Sequence, residues 1–261
     1  MTARLARRTA GALILIAAAA TLTGCNGAVG AKLTFDDTEK VKVTEIVVAG
    51  GAGDIRVTTS AITETRIKRV VRGGGDPGPS YRLAGTVLSV DTTCGSDCWS
   101  SYEIEAPTGV TVRGGLNSGN LGLLDVASAD VSVKSGDIHI ERATGPVKAT
   151  ATSGNIDVAG STGPVTLGAT SGNISALDLT GGNAVKAEVS SGNIDLLLQQ
   201  SADVSARASS GNIDVAVPAG AYRIDERVGS GTFESDFTAD PKGTQLLSVR
   251  TSSGNVTIRS S

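Results

Sequence analysis

Aromatic residues make up only 3% of the 261 positions and charged residues only 19%. With so few rings and so many Gly, Ala, Val, Ser and Thr, the composition suits a thin, regularly stacked β core better than a bulky globular one. No acidic or basic run is long enough to serve as a tail for nucleic acid, and the basic footprint of a nucleic-acid binder is missing. Outside the N-terminal signal, no segment has convincing helical periodicity. His139 is the only histidine; a catalytic triad would have to use it, yet no serine context for a nucleophile accompanies it. The many glycines recur at corners and none opens a helix, so no phosphate-binding loop is present. No catalytic residue, cofactor or metal site is expected from these absences.

The chain begins with Arg4, Arg7 and Arg8 followed by an apolar run from Leu13 to Ala20. That run is too short to span a bilayer and reads as a secretory signal covering residues 1–24. Its end, Leu22-Thr23-Gly24-Cys25, looks like the lipobox of bacterial lipoproteins, whose cysteine is acylated and becomes the first residue; an ordinary signal peptide with a chance cysteine is the other reading. Two or more acyl chains of the palmitate class anchor stably, at about 0.8 kcal/mol per buried methylene. Cleavage before Cys25 leaves 20 basic against 26 acidic residues, a net charge of −6. Residues 25–32 then form a lipidated tether of small and polar residues. The other two cysteines, Cys94 and Cys98, bracket Gly-Ser-Asp; in an exported chain a local disulfide is the first reading and a two-cysteine metal site the second.

What the sequence has in quantity is one motif. Ser-Gly-Asn-Ile or a close variant recurs with its glycine at 119, 136, 154, 172, 192, 211, 231 and 254, in steps of 17 to 23 residues. Self-similarity at this period indicates stacked coils of a solenoid. Gly145, Gly154, Gly163 and Gly172 are nine apart, so each coil carries two short strands and two glycine corners. The corner pairs are Gly119–Asn120, Gly136–Asp137, Gly154–Asn155, Gly172–Asn173, Gly192–Asn193, Gly211–Asn212 and Gly254–Asn255. Glycine takes a positive φ without steric cost and Asn tolerates left-handed geometry. Stacking at about 4.8 Å would bring successive Asn side chains into an amide ladder. Strand alternation aims Leu121, Ile138, Ile156, Ile174, Ile194, Ile213, Phe233 and Val256 inward as one aliphatic column. The fold class expected is thus an all-β, single β-solenoid over residues 109–261. Residues 33–108 form an N-terminal β cap that includes one divergent coil at Gly53-Asp54-Ile55. The C-terminal end, at Arg259-Ser260-Ser261, has no dedicated cap.

The run of Ser-Gly-Asn-Ile corners, together with Gly53-Asp54-Ile55 and the strand ending Ala106-Pro107-Thr108-Gly109-Val110, resembles the bacterial putative-adhesin family of exported β-strand-repeat proteins. The resemblance extends over most of the mature chain and implies a β-solenoid at the cell surface.

The residue after each motif points to solvent and builds a second column that includes His139, Asp157, Ser175, Asp195, Asp214, Glu234 and Thr257. Asp195, Asp214 and Glu234 would be neighbours on adjacent coils. Such carboxylates could hold a cation or supply the acid and base of a glycan-cleaving β-helix, a lyase or hydrolase; the plainer reading is a solvated charged face. Calcium-binding nonapeptide repeats would need a carboxylate at every corner, and most corners carry Asn or Pro. Trp99, Tyr102 and Tyr81 flank the cysteine hairpin as either a contact patch or an apolar plug over the first coil. The reading as a whole is a lipid-anchored, extracytoplasmic, non-catalytic surface module. Its partners would be the membrane through Cys25 and an unknown protein or glycan ligand, with no nucleic acid; the alternative is a glycan-active enzyme.

Overall fold

Each repeat alternates small apolar and polar residues up to its Ser-Gly-Asx turn, and in the computed structural model, which describes residues 32–73, 78–79, 81–95 and 98–261, each repeat forms two short strands. The second strand of each repeat joins a twelve-stranded sheet, here sheet A, and the first joins an eleven-stranded sheet, sheet B. Ten coils result, numbered in chain order. Coil 1 is Glu45–Ala49 with Ile55–Ser60, and coil 2 is Val87–Asp91 with Cys98–Pro107. Coil 3 is Thr111–Ser118 with Leu121–Leu124, coil 4 Ser128–Ser135 with Ile138–Glu141, and coil 5 Val147–Ser153 with Ile156–Ala159. Coil 6 is Val165–Ser171 with Ile174–Leu179, coil 7 Val185–Ser191 with Ile194–Leu198, and coil 8 Val204–Ser210 with Ile213–Val217. Coil 9 is Tyr222–Ser230 with Phe233–Ser235, and coil 10 is Gln245–Ser253 with Val256–Ser260. Residues 33–108 therefore supply two coils, where the motif marked only one.

From coil 3 to coil 8 the strands stack parallel in chain order, and Ser118, Ser135, Ser153, Ser171, Ser191 and Ser210 share one register column. At both ends the spatial order departs from chain order. Coil 1 lies between coil 2 and coil 3, and coil 10 lies between coil 8 and coil 9. The C-terminal coil is thus an interior coil, which corrects the expectation that Arg259-Ser260-Ser261 ends the stack.

The corners explain why coil 9 is last. At each corner an Asx side-chain oxygen accepts a hydrogen bond from the backbone N–H of the equivalent residue on the next coil. Asp54 accepts from Asn120 (2.8 Å), Asn120 from Asp137 (3.0 Å), Asp137 from Asn155 (2.7 Å) and Asn155 from Asn173 (3.0 Å). The ladder continues through Asn193, Asn212 and Asn255 and ends where Asn255 accepts from Thr232 (3.0 Å). Thr232 has a hydroxyl in place of the Asx carbonyl, and that hydroxyl turns back to donate to Asn255 Oδ1 at 3.1 Å, so the carbonyl ladder stops at coil 9. The Asx residues work through this oxygen: the positive φ falls on the glycine before each of them, Gly172 for instance at 134°, and not on the Asx. Side-chain amide contacts are secondary, with Asn173 Nδ2 at 3.4 Å from Asn155 Oδ1. A Cβ on Gly172 would meet the carbonyl oxygen of Gly154 at 2.0 Å, so the coils close to β spacing only over glycine. The non-glycine left-handed residues lie at the far end of sheet A, at Asp125, Arg142 and Asp178.

The core is the expected aliphatic column, with Leu121, Ile138, Ile156, Ile174, Ile194, Ile213 and Val256 all buried, facing Val and Ala of sheet B such as Val147, Ala149 and Val165. Each such Ile removes enough apolar surface from water to contribute about 2 kcal/mol. Phe233 is the exception at 36% exposure, because coil 9 has no neighbour beyond it. Phe237 packs edge-on against buried Tyr222 (5.2 Å between rings), closing that end in part. At the opposite end, strands Lys32–Glu39 and Thr65–Gly73 add antiparallel to sheet A and Arg82–Ala84 adds antiparallel to sheet B. Reversing strand direction there interrupts the parallel template, one way an edge is kept from recruiting further chains.

Candidate functional site

The outward column on sheet A is broken by the coil order. Asp195 pairs with Asp214, but Asp214 pairs with Thr257 and only then comes Glu234, so the three carboxylates are not consecutive. Coil 10 also brings Arg259, whose Nε donates to Asp214 Oδ1 at 2.8 Å. That contact places a cation against carboxylates that the sequence presented only as a solvated charged face. Partial burial, and then the charge of Asp214, push the Asp195 carboxyl above its ordinary pKa, with Arg259 opposing. Burial likewise raises Asp157, against the pull of His139. His139 is exposed, with Nε2 2.6 Å from Glu141 of its own strand. Among the described residues no three His, Cys, Asp or Glu side chains gather as a metal ion requires. This face is a solvated, partly neutralised charge surface.

A larger feature lies on the opposite face. Across the outside of sheet B, from coil 4 to coil 9, runs a groove of about 970 Å³. Strand alternation sends every second residue of the Val-x-Ala-x-Ala strands outward, and two of these positions line the groove. One column reads Ser132, Thr150, Gly168, Glu188, Arg207, Arg250 and Arg227 in register. The other carries hydroxyls, among them Thr152, Thr170 and Ser209, after Lys134. Gly168 leaves the floor lowest near the middle, where even an added Cβ would only touch Thr150 Cγ2 at 3.7 Å.

Three arginines on successive coils crowd the C-terminal half. Arg250 is held by Asp225 at 2.5 Å, and Arg227 lies 4.0 Å from the same carboxylate. Those guanidinium groups, the Arg250 hydrogen bond first, hold Asp225 below the usual carboxylate range. Arg207 is 3.9 Å from Glu188, which Lys186 holds more closely at 3.2 Å. Arg250 Nε is buried without a hydrogen-bond partner. The groove thus offers spaced hydroxyls and an excess of guanidinium, both suited to an extended, oxygen-rich, anionic chain. The motif drew attention to sheet A and this groove was missed; the signal was the Lys, Thr and Ser at the x positions, ending in Arg207 and Arg250.

The cysteine hairpin divides the aromatic cluster. Tyr102 is buried, donates to Asp91 O at 3.1 Å, and stacks under the guanidinium of buried Arg69 at 5.8 Å. Tyr81 packs on the core and donates to Glu39; burial and that carboxylate raise its pKa. These two form the plug. Trp99 does not join them and is 63% exposed. Cys94 and Cys98 are joined by a disulfide, while Cys25 lies outside the described residues.

The family model described as Toastrack DUF4097 matches residues 26–259. No curated protein matches the sequence. Among solved structures the chain is similar to a putative adhesin from Bacteroides fragilis, with 14% identity and a TM-score of 0.49 over 89% of this chain and 99% of that one. It is also similar to a putative adhesin from Parabacteroides merdae (13% identity, TM-score 0.41, 86% and 95% covered). A putative cell adhesion protein from Clostridium sporogenes shows 10% identity and a TM-score of 0.25 over 88% of this chain and all of its own.

Proposed function

We propose that this chain, which belongs to the Toastrack DUF4097 family, is a non-catalytic, adhesin-like binding module of the cell surface. In this reading acyl chains on Cys25 hold it at the extracytoplasmic face of the cell membrane, and the groove of sheet B takes an extended anionic glycan. The observation that carries the reading is the column of Arg207, Arg250 and Arg227 leading out of a hydroxyl-lined groove about 970 Å³ in volume. Sugar hydroxyls would exchange hydrogen bonds with Thr150, Thr152 and Thr170, and carboxylate or sulfate groups would meet the guanidinium forks. No observation favours the glycan-cleaving alternative, since Thr257 and Arg259 interrupt its carboxylates.

The test is a glycan array probed with the mature chain carrying Cys25→Ala. Binding to uronate- or sulfate-bearing polysaccharides is expected, weakening as salt rises and falling at least tenfold in Arg207→Ala/Arg227→Ala. Binding restricted to neutral glycans, or unchanged in the double variant, refutes the groove assignment. Release of new sugar ends would refute the non-catalytic reading. In cells, Cys25→Ala should move the protein out of the membrane fraction; if it still pellets with membranes, the anchor is wrong.

A further inference from the structure

Trp99 is the only tryptophan of the chain, and an exposed indole on a regular strand needs an explanation. Register places Arg72 directly across from it and Lys32 across from Arg72, so the three form a row over the outermost strands of sheet A. Beside that row is a pocket of about 350 Å³ whose charged lining is Lys32, Arg56, Lys68 and Arg72 against Asp54 and Glu103, with Trp99 at its side, so the basic groups outnumber the acidic ones two to one. Among the described residues Lys32, Arg56 and Arg72 make no ion pair. Lys68, by contrast, is taken by Glu103 at 2.9 Å. The nearest acidic residue on the edge strand, Asp36, is four residues from Lys32 and lies opposite Lys68 in register. The disulfide ends at Cys98, immediately before Trp99, and ties down that end of the strand.

We infer that this end of the rod docks on an anionic lipid surface, with Trp99 at the headgroup level and Lys32, Arg56 and Arg72 against the lipid phosphates. Indole rings favour the membrane–water interface because they are apolar with one polar N–H. Each basic residue brought to an anionic surface strengthens binding about fivefold. The mature chain as a whole carries a net charge of −6, so the rest of the rod is repelled and the patch sets the orientation. The chain enters this row at Lys32, seven residues after Cys25, and seven residues reach at most about 25 Å. The distance argument and the net charge of −6 rest on the processing at Cys25 proposed above; the basic row and the exposed indole do not.

The experiment therefore uses the mature chain with Cys25→Ala, which carries no lipid, mixed with phosphatidylglycerol/phosphatidylcholine vesicles or phosphatidylcholine vesicles alone. Indole fluorescence reports Trp99 directly. With anionic vesicles it should shift to the blue and lose quenching by acrylamide, the protein should cosediment, and added salt should reverse all three. Lys32→Gln/Arg72→Gln should weaken binding about 25-fold, two fivefold steps. Trp99→Ala should weaken cosedimentation, and Trp99→Phe should restore part of it. Thermal melts of the variants matching the parent keep a folding defect from passing as a binding defect. No spectral shift, equal binding to phosphatidylcholine, or undiminished binding of the double variant overturns the inference. A shift with a soluble anionic polysaccharide and none with vesicles overturns it in favour of a glycan. Failure of the lipid anchor in cells leaves these vesicle results unaffected, so the two readings fail separately.

Discussion

Replacing Gly172 with alanine tests the stacking geometry at one of its tight corners. The glycine sits at φ 134°, and a Cβ there would meet Gly154 O at 2.0 Å and its carbonyl carbon at 2.6 Å, both backbone atoms. An alanine in this region of φ costs about 2 kcal/mol. Relieving the contact to 3 Å means parting the two coils by about 1 Å. That would stretch Gly154 N–H to Ser171 O, Ile156 N–H to Asn173 O and Asn173 N–H to Asn155 Oδ1, each now 3.0 Å, beyond hydrogen-bond reach. Three bonds at about 1 kcal/mol each bring the total to about 5 kcal/mol. A single domain has about 5–15 kcal/mol in all. With a urea m-value of about 2–3 kcal/mol/M, the midpoint followed by far-UV circular dichroism should fall by about 2 M. Gly168, four residues earlier in the same coil, is the control: its φ is not positive and its added Cβ finds only Thr150 Cγ2 at 3.7 Å. Gly168→Ala should match the parent or gain about 0.5 kcal/mol. A parent-like midpoint for Gly172→Ala, or an equal loss for Gly168→Ala, would refute the reasoning.

The corner ladder makes a second prediction, for the same denaturation assay. Asn173→Asp keeps the oxygen that Asn193 N–H uses (2.9 Å) and should cost under about 1 kcal/mol, as Asp137 does this work naturally; Asn173→Leu removes it and should cost about 1–3 kcal/mol. The third concerns pH. Asp195 has a raised carboxyl pKa in the fold through burial, then Asp214, so its ionised form opposes folding at neutral pH and the penalty fades as pH falls through the folded pKa. Asp195→Asn should raise Tm at pH 7 and leave it unchanged at pH 3; the same gain at both pH values would rule out a charge origin. Asp225, lowered by Arg250, has the opposite sign: its contribution is present above the ordinary carboxylate pKa and lost as pH falls through its folded pKa. Asp225→Asn should lower Tm at pH 7 and lower it by less at pH 3, and a gain at pH 7 would count against the ion pair.

The repeat period, the glycine corners and the aliphatic column were legible because each follows from one coil and its copy: Gly154 must admit a carbonyl above it, and Ile156 must point inward whichever coil is its neighbour. The column placements on sheet B were legible for the same reason, although the motif drew attention to sheet A and the groove residues Thr150, Arg207 and Arg250 went unread. Trp99 was assigned with Tyr102 by proximity in sequence, yet alternation separates an odd from an even position across the sheet.

What local sequence determined, then, is the shape of one coil. What tertiary structure alone decided is the order of coils, since every Ser-Gly-Asx corner can dock on every other. Insertion of coil 10 between coils 8 and 9 delivers Arg259 to Asp214 and separates Glu234 from it by Thr257. One residue foreshadowed the choice: Thr232, the corner whose side chain has no carbonyl to pass on. A ladder of one-way hydrogen bonds ends at the coil whose corner has no Asx side chain, wherever that coil falls in the chain.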